Sequence, residues 1–380
     1  MKISDQAQAI TPFLVMDVME RANMMSAGGA EIIHLEVGEP DFDTPRCIRD
    51  AARAAMEEGK THYTDSRGIP ELRDAICSHY KNTYGVEVDR NQVLVTGGSS
   101  PALLIAIACL AAATDEIIMP DPYYACYPNF VRVVGATPKL IPTGSDDGFQ
   151  LDPEKVRKAI GSSTKAMLIN SPANPTGVCL DTSHLGGLAS TGLPIISDEI
   201  YHGLVYESQQ HTILEYTDNA IVINGFSKAY AMTGWRLGWA VFPRSLARTA
   251  QKIQQNLMIC APSVAQWGGV AALTRAHDDV AHMHKIFSRR RKVMLDTMAE
   301  HGFVVEAEPT GAFYVLVNMK DISSDSYCLA MDILDHTGVG VTPGIDFGPG
   351  AATYLRFSYA NAEENIRKGV KKVADYIGTL

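Results

Sequence analysis

Several features that would restrict the function are missing from this sequence of 380 residues. There is no uninterrupted run of about 18 apolar residues, and the amino-terminal stretch lacks the apolar core of a signal peptide, so the sequence predicts neither a membrane span nor secretion. Basic residues are in deficit, and the formal net charge of −10 argues against nucleic acid as a partner. We therefore expect a cytoplasmic protein that does not bind nucleic acid.

Cysteine patterns typical of disulfides or zinc sites are also missing. The seven cysteines are odd in number, widely spaced and mostly set among apolar residues, so we expect buried free thiols in a reducing compartment. Because no cysteine, histidine or carboxylate pair has the spacing of metal ligands, we expect no metal. The one compact basic run, residues 289–292, is expected to be a solvated face of a helix.

Short apolar runs alternate with longer amphipathic segments, which is typical of a mostly parallel sheet covered by helices on both faces. The predicted strands are 93–95, 116–119, 166–169, 194–197, 220–223 and 238–242, and the predicted helices include 100–112 and 244–257. Beyond about residue 290 the pattern changes. A helix over 279–301 is followed by predicted strands at 303–306, 312–316 and 354–358 and by a closing helix.

The fold class predicted from this pattern is α/β. Residues 46–290 would form a large domain with a mostly parallel sheet between helices. Residues 1–45 would form an arm and join a smaller α+β domain of residues 291–380.

One lysine, Lys228, lies among small and apolar residues in the segment GFSKAYAMTGWRLG, residues 225–238. Apolar neighbours solvate an ammonium poorly and favour the neutral amine, which can form a Schiff base with an aldehyde. The lysine follows the predicted strand 220–223, at the edge where open α/β sheets bind ligands. Judged alone, it could instead be a core lysine that extends to the surface, with Arg236 in an unrelated ion pair.

Two turns after other predicted strands have the composition of ligand-binding loops. The turn TGGSSP, residues 96–101, opens a helix, so the backbone at Gly98, Ser99 and Ser100 could bind a phosphate. It has neither the spacing of a dinucleotide fold nor the ending of a P-loop. In PDPYYACYP, residues 120–128, Tyr124 could stack on a heteroaromatic ring. A plain tight turn and ordinary loop packing are the alternatives.

Two further segments place polar groups at strand ends. In NSPANPTG, residues 170–177, the amide of Asn174 could donate a hydrogen bond to an oxyanion. In DEIY, residues 198–201, Asp198 ends an apolar strand, where a carboxylate needs a partner because an unpaired desolvated charge is costly. Capping of a helix by Asp198 is the alternative.

These segments occur in the order typical of one enzyme family. They are LEVGEPDFDTP at 35–45, Tyr63 with GIPELR at 68–73, NPTG at 174–177, DEIY at 198–201, the lysine segment, and LRFS at 355–358. Together they resemble the class I and II aminotransferases, which are fold-type I pyridoxal 5'-phosphate enzymes. The resemblance runs through nearly the whole chain.

The resemblance implies roles around a cofactor ring. Lys228 would bind pyridoxal 5'-phosphate covalently and then act as the base at the substrate Cα. Asp198 would pair with the pyridine nitrogen and keep it protonated. Asn174 and Tyr201 would hydrogen-bond the ring oxygen, and Tyr124 would stack on the ring.

The resemblance also implies how the phosphate and the substrate are bound. The phosphate would contact Arg236, Gly98, Ser99 and Ser100 of the same chain. It would also contact Tyr63 of the partner subunit. A homodimer with a shared active site follows from the last of these contacts. Arg356 would bind the substrate α-carboxylate as a bidentate pair, assisted by the backbone of Gly38 and the side chain of Asn174.

Two positions depart from the familiar pattern. Many relatives have a serine that reaches the phosphate three residues before the lysine, whereas this chain has Gly225 there and Ser227 next to the lysine. Some aspartate-specific relatives place a lysine in the glycine-rich turn, which here reads GGSS, so this support for a dicarboxylate substrate is missing. Aspartate stays open as a donor because other arginines, including ones from the partner subunit, could bind its side chain. Broad neutral or aromatic amino acids are the alternative donors.

The predicted function is that of an aminotransferase that moves an amino group from an L-amino acid to 2-oxoglutarate or pyruvate by a ping-pong mechanism. A cysteine–sulfur β-lyase on the same fold is the nearest alternative, since the same carbanion can expel a β-leaving group, and the motifs do not separate the two. The effector domain of a transcriptional regulator is disfavoured, because the segment before the family-like sequence has no basic helix-turn-helix pattern.

Overall fold

The computed structural model describes residues 2–380. The strands are β1 Ile33–His34, β2 Val93–Thr96, β3 Glu116–Asp121, β4 Thr137–Pro142, β5 Thr164–Asn170, β6 Ile195–Asp198, β7 Ala220–Gly225, β8 Gly238–Val241, β9 Tyr314–Asn318, β10 Val339–Gly340, β11 Thr342–Pro343 and β12 Tyr354–Ser358. The helices are α1 Asp5–Gln8, α2 Leu14–Ala27, α3 Arg46–Glu57, α4 Pro70–Tyr84, α5 Ser99–Leu110, α6 Tyr127–Val133, α7 Pro153–Ala159, α8 Thr182–Ala189, α9 Arg244–Leu257, α10 Ser263–Arg275, α11 His277–Glu300, α12 Ser326–Thr337 and α13 Glu363–Ile377.

A sheet in the order β2-β8-β7-β6-β5-β3-β4 forms the centre of the larger part of the fold. Strands β3 to β7 are parallel to one another, and β8 is antiparallel to both β2 and β7. Successive residues of β5 face opposite sides, so Leu168 belongs to the buried cluster that includes residues of α5 and α9, while Met167 and Ile169 belong to the one that includes residues of α4 and α10. The α/β prediction with a mostly parallel sheet between helices is confirmed.

Strand β4 was not predicted from the sequence. It is paired on one side only, with β3, and so forms an edge of the sheet. It contains Pro138 and Pro142, which lack the N–H group that a central strand would need. An edge strand tolerates proline, and for that reason its sequence resembles a loop.

A second, smaller sheet follows α11, in the order β11-β12-β9. The prediction of a strand at 303–306 is wrong, because this segment makes side-chain contacts with the sheet instead of pairing with it: Tyr354 Oη donates to Glu306 Oε2 at 2.7 Å. The strand predicted at 312–316 begins two residues later, at Tyr314, because Ala312 has a left-handed φ of 54° that an extended strand does not allow.

The prediction that the basic run 289–292 is a solvated helix face is wrong for its two central residues. Arg290 and Arg291 are buried on α11. Arg290 makes a bidentate pair with Asp41, at 2.6 and 2.8 Å, and Nη1 of Arg291 donates to Glu207 at 2.8 Å. Buried guanidinium groups persist here because acidic groups distant in sequence satisfy them.

Full burial of the cysteines, also expected, is wrong: Cys328 is exposed and the others are partly buried, although all are free thiols. Cys77, for example, lies on α4 one position after the fully buried Ile76, at the margin of the helix face that packs on the core. Within residues 2–380, no helix has the length and apolar composition needed to cross a membrane. No cluster of three metal-ligating side chains occurs in the same range.

The two sheets have separate buried clusters. The cluster of the smaller sheet includes Ile33 and Leu35, with Phe42 packed against it, which supports the prediction that residues 1–45 join a smaller domain of 291–380. The division into 1–45, 46–290 and 291–380 stays a prediction.

Candidate active site

Side chains from the carboxyl ends of β5, β6 and β7 converge with residues of β12 and the amino-terminal segment on a cavity of about 320 Å³. This is the sheet edge at which parallel α/β folds bind ligands. The predicted site residues that line the cavity are Gly38, Ser99, Ser100, Tyr124, Asn174, Asp198, Tyr201, Lys228, Arg236 and Arg356.

Lys228 follows β7 and donates a hydrogen bond from Nζ to the carbonyl oxygen of Gly38. Burial, reinforced by the positive charge of Arg356, lowers the pKa of this lysine to about 8. The carboxylates of Glu39 and Asp198 oppose that shift but do not cancel it. A minor part of the amine is therefore neutral near physiological pH, and this is the form that reacts with aldehydes and accepts protons.

Asp198 ends β6 and is buried. Its Oδ1 accepts from the backbone N–H of Ile200 at 3.1 Å, and its Oδ2 accepts from the hydroxyl of Tyr127 at 2.8 Å. Burial raises the pKa of the carboxyl to about 6, and the Tyr127 hydrogen bond opposes this rise. The residues after it form turns and no helix, so the helix-capping alternative does not apply. The geometry instead presents a buried acid to the cavity.

The glycine-rich turn and Arg236 form a cationic end of the cavity. Gly98 has a φ of 105°, and a Cβ there would lie 2.9 Å from Nη2 of Arg236. Ser99 and Ser100 begin α5, whose free N–H groups and dipole favour an anion. A glycine at position 98 therefore allows the guanidinium of Arg236 to lie close to the turn, so both can contact the same anion.

The departure at Gly225 has a packing explanation. A Cβ at this position would lie 3.2 Å from the Leu237 carbonyl oxygen and 3.0 Å from Cδ1 of Ile200, so a serine would require neighbouring atoms to move. Ser227 lines the cavity. In this segment the hydroxyl that reaches the cavity is therefore that of Ser227, beside Lys228.

Arg356 lies on β12 and is buried. It donates from Nη1 to Asn174 Oδ1 at 2.8 Å and from Nη2 to the Glu36 carbonyl oxygen at 2.6 Å. Its Nε has no hydrogen-bond partner although it is buried. A buried guanidinium N–H without a partner is costly, so it favours binding of an anionic acceptor such as a carboxylate.

Tyr314 is a site residue that the sequence did not indicate. Its hydroxyl lies 2.8 Å from that of Tyr201, and its ring centroid lies 4.3 Å from Cζ of Arg356. A Cβ on Gly38 would come within 2.5 Å of the same hydroxyl, so the glycine allows Tyr314 into the site. Tyr127 was missed likewise: it lies in the segment 120–128, from which Tyr124 was chosen for the ring, and nothing local pairs it with Asp198. Tyr314 belongs to no motif.

Tyr63 is not among the residues of the described chain that line the cavity. Its side chain is 80% exposed, which is unusual for a large aromatic group. The neighbouring Thr64 accepts a hydrogen bond from Nε2 of Gln266, which also donates to the carbonyl oxygen of Ala261. Two residues before Ala261, Ile259 is exposed as well. This exposed surface is available to another molecule.

The arrangement combines an amine that is partly neutral, a buried acid, aromatic faces and two separate anion-binding groups, Arg236 and Arg356. A flat ring that carries a phosphate fits the acid, Tyr124 and the turn at Gly98, and a carboxylate fits Arg356. The observations that support this fit are the close approach of Arg236 to the turn, which a Cβ at Gly98 would prevent, and the unpartnered Nε of Arg356.

Residues 30–373 match the family described as aminotransferase class I and II. A (5-formylfuran-3-yl)methyl phosphate transaminase of Methanocaldococcus jannaschii is 40% identical over 370 residues, 96% of this chain and 96% of the relative. An aspartate/prephenate aminotransferase of Thermus thermophilus is 35% identical and covers 99% of each chain. A solved structure of a Thermus thermophilus aspartate aminotransferase single mutant has a TM-score of 0.94 at 35% identity, covering 99% of both chains.

Proposed function

The chain belongs to the class I and II aminotransferases, and on that premise we propose that it transfers the amino group of an L-amino acid to 2-oxoglutarate or pyruvate by a ping-pong mechanism with pyridoxal 5'-phosphate. The observation that carries the proposal is the position of Lys228, whose lowered pKa leaves part of its amine neutral in a cavity with Asp198 and Arg356. The likeness to named aminotransferases does not favour the cysteine–sulfur β-lyase alternative.

The phosphate and the ring would be held by different groups of the cavity. The residues proposed for the phosphate are Arg236, Gly98, Ser99 and Ser100 of the same chain, together with Tyr63 of the partner subunit. Tyr124 would cover one face of the ring, and Asn174 with Tyr201 would donate to its oxygen. When bound, the cofactor supplies a protonated ring that takes up the electrons released from the substrate Cα–H bond.

The chain's own residues would bind and orient the donor and move its proton. Arg356 binds the α-carboxylate, with the backbone of Gly38 and the amide of Asn174 completing the contact. Nζ of Lys228 accepts the proton from Cα, because its lowered pKa keeps part of the amine unprotonated. Asp198, kept ionised by the Tyr127 hydroxyl, holds a proton on the ring nitrogen.

A half-reaction tests this function. Cofactor-loaded enzyme mixed with an L-amino acid and no acceptor should release about one equivalent of 2-oxo acid per site and then stop. Lys228→Ala should abolish the release and the covalent attachment of the cofactor, whereas Lys252→Ala, at an exposed position of α9, should change neither. Continuous formation of pyruvate and ammonia from cysteine would contradict transamination and support the β-lyase.

The active species is proposed to be a homodimer, and the exposed Tyr63 supports this because it lies outside the cavity of its own chain. Mixing Tyr63→Ala with Lys228→Ala tests the shared site. A hybrid dimer contains one site with both native residues, so about a quarter of wild-type activity should return after subunit exchange. No recovery, despite exchange measured by mass, would rule out a phosphate contact from the partner subunit.

The location is proposed to be the cytoplasm, and the partners small molecules only. Seven free thiols support a reducing compartment, and the net charge of −10 disfavours nucleic acid. Fractionation of the source cells with a marker enzyme tests the location, and recovery in an oxidising compartment would contradict it.

A further inference from the structure

One wall of the active-site cavity is built by the start of helix α2. The side chains of Phe13, Val15, Met16 and Met19 line it. Val15 and Met19 are four residues apart and Met16 and Met19 three, so they lie on one face of the helix. None of these side chains carries a charge or a strong hydrogen-bonding group, and the wall therefore favours apolar contacts.

The cations of the cavity lie elsewhere. Among the described residues, the lysine and arginine side chains that line it are Lys228, Arg236 and Arg356, and each already has a proposed partner. The arginine of α2, Arg21, pairs at 2.9 Å with Asp335 outside the cavity. This chain thus places no free cation on the α2 wall to bind a second substrate carboxylate.

The α2 wall is continuous with the aromatic face proposed for the cofactor. The rings of Phe13 and Tyr124 are 6.1 Å apart between centroids and meet edge to face, at 86°. A substrate side chain that extends from Cα toward α2 would therefore meet Phe13 beside the ring that Tyr124 covers.

The start of α2 is held by a residue from the far end of the chain. Its N-cap residue, Phe13, has no side-chain cap of its own. Instead, Oδ1 of Asp346 accepts from the N–H of Leu14 at 2.9 Å, and Oδ2 accepts from the N–H of Val15 at 3.1 Å. Asp346 is 8% exposed, so little water can replace these two backbone donors, and the carboxylate and the start of α2 hold each other in place.

Asp346 belongs to a short 3₁₀ turn, Gly344–Phe347, that also contacts the substrate arginine. The ring centroid of Phe347 lies 4.9 Å from Cζ of Arg356. One turn therefore holds the apolar wall on one side and supports the carboxylate-binding group on the other. The distance between the two is fixed by neighbouring residues of a single segment.

We propose that Asp346 is a positioning residue that holds helix α2 in place, and that the wall of Phe13, Val15, Met16 and Met19 selects L-amino acids with apolar or aromatic side chains. The proposal rests on the proposed aminotransferase function. It names a donor class and a residue that sets it, whereas the motifs leave the donor open. Asp346 acts on the substrate through the backbone of α2 and does not touch it.

Binding of unreactive carboxylates to the cofactor-loaded enzyme tests the wall without turnover. By calorimetry, 3-phenylpropanoate should bind about tenfold more tightly than succinate. Asp346→Asn keeps one acceptor oxygen but turns an amide donor toward a backbone N–H. It should weaken 3-phenylpropanoate about five- to tenfold and leave propanoate, which is too short to reach α2, within about twofold.

Turnover supplies the second readout. The kcat/KM for L-phenylalanine and L-leucine should exceed that for L-aspartate, and Asp346→Asn should raise KM for the first two several-fold more than it raises KM for L-alanine. Asp335→Asn is the matched control. It removes the exposed ion pair between Asp335 of α12 and Arg21 of α2, and it should change none of these constants. If Asp346→Asn fails to fold, Phe13→Ala tests the wall and should give the same side-chain-dependent loss.

Two results would overturn the proposal: tighter binding of succinate than of 3-phenylpropanoate, or an equal loss for propanoate and 3-phenylpropanoate in Asp346→Asn. Failure of every donor to react would contradict the aminotransferase function alone. The calorimetric comparison would still decide whether the α2 wall selects apolar side chains.

Discussion

The hydroxyl of Tyr127 donates a hydrogen bond of 2.8 Å to Oδ2 of Asp198, and both side chains are buried. Burial alone would favour the neutral acid, and it raises the pKa of Asp198 to about 6. The hydroxyl opposes that rise because it stabilises the carboxylate. An acid that must hold a proton on a ring nitrogen at neutral pH has to be ionised itself. The Tyr127 hydrogen bond therefore helps Asp198 to act on the ring.

Tyr127→Phe should therefore shift the acid limb of the kcat/KM profile upward by about one pH unit, since a hydrogen bond to a charged group is lost. Activity at pH 6 should fall about fivefold and recover toward wild type at pH 8. Steady-state rates from pH 5 to 9 measure this. Tyr123→Phe, in the same segment, is the control, and an equal loss at every pH in Tyr127→Phe would indicate a packing defect.

Gly98→Ala should weaken binding of pyridoxal 5'-phosphate about tenfold or more. The left-handed φ of 105° disfavours any side chain, and the Cβ would come within 2.9 Å of the Arg236 guanidinium. Equilibrium titration of the apoenzyme with the cofactor gives the dissociation constant. Gly161→Ala adds a Cβ with no atom within 4 Å and should bind normally. Unchanged affinity in Gly98→Ala would remove the turn from the phosphate site.

Much of the site could be predicted from the sequence because its residues follow strands whose carboxyl ends meet at one edge. Asp198 ends one buried apolar strand and Lys228 comes three residues after another, and the structure brings both to the same cavity. Local composition and strand order were enough to place them together. Gly98 was predicted for the same reason, from a turn that opens a helix.

The rest depends on contacts that no local pattern encodes. Tyr127 reaches Asp198 across 71 positions, Tyr314 reaches Tyr201 across 113, and Asp346 reaches α2 across more than 300. Each is an ordinary tyrosine or aspartate until the fold brings its partner near. The same limit explains the error at Arg290, whose bidentate partner, Asp41, lies 249 residues away.

Arg356→Lys should raise KM for every α-amino acid by about ten- to a hundredfold. A lysine keeps the charge but loses the planar fork, and the donors that now contact Asn174 and Glu36 would no longer be matched. Initial rates with L-alanine, L-leucine and L-aspartate measure the effect. Arg289→Lys, at an exposed position paired with Glu363, should leave KM unchanged. An effect confined to one side-chain class would contradict the α-carboxylate role of Arg356.

Glu199 predicts a pH dependence of stability that is separate from catalysis. It is 1% exposed, and its Oε1 accepts three hydrogen bonds while Oε2 has no hydrogen-bond partner and lies 3.4 Å from Nδ1 of His202. Burial raises its pKa from 4.5 to about 8. Because the folded pKa lies above the unfolded one, the neutral acid contributes stability that is complete below about pH 4.5 and is lost as the pH rises through 8.

Glu199→Gln mimics the neutral acid and should remove this loss. Its free energy of unfolding should match that of the wild type near pH 4.5 and exceed it by roughly 4 kcal/mol at pH 8. Urea unfolding followed by circular dichroism at several pH values gives the difference. Glu58→Gln, on the surface, should show no such trend. A difference that is constant with pH, or that favours the wild type above pH 7, would mean that Glu199 is ionised in the folded protein and that its unpartnered oxygen is satisfied by solvent.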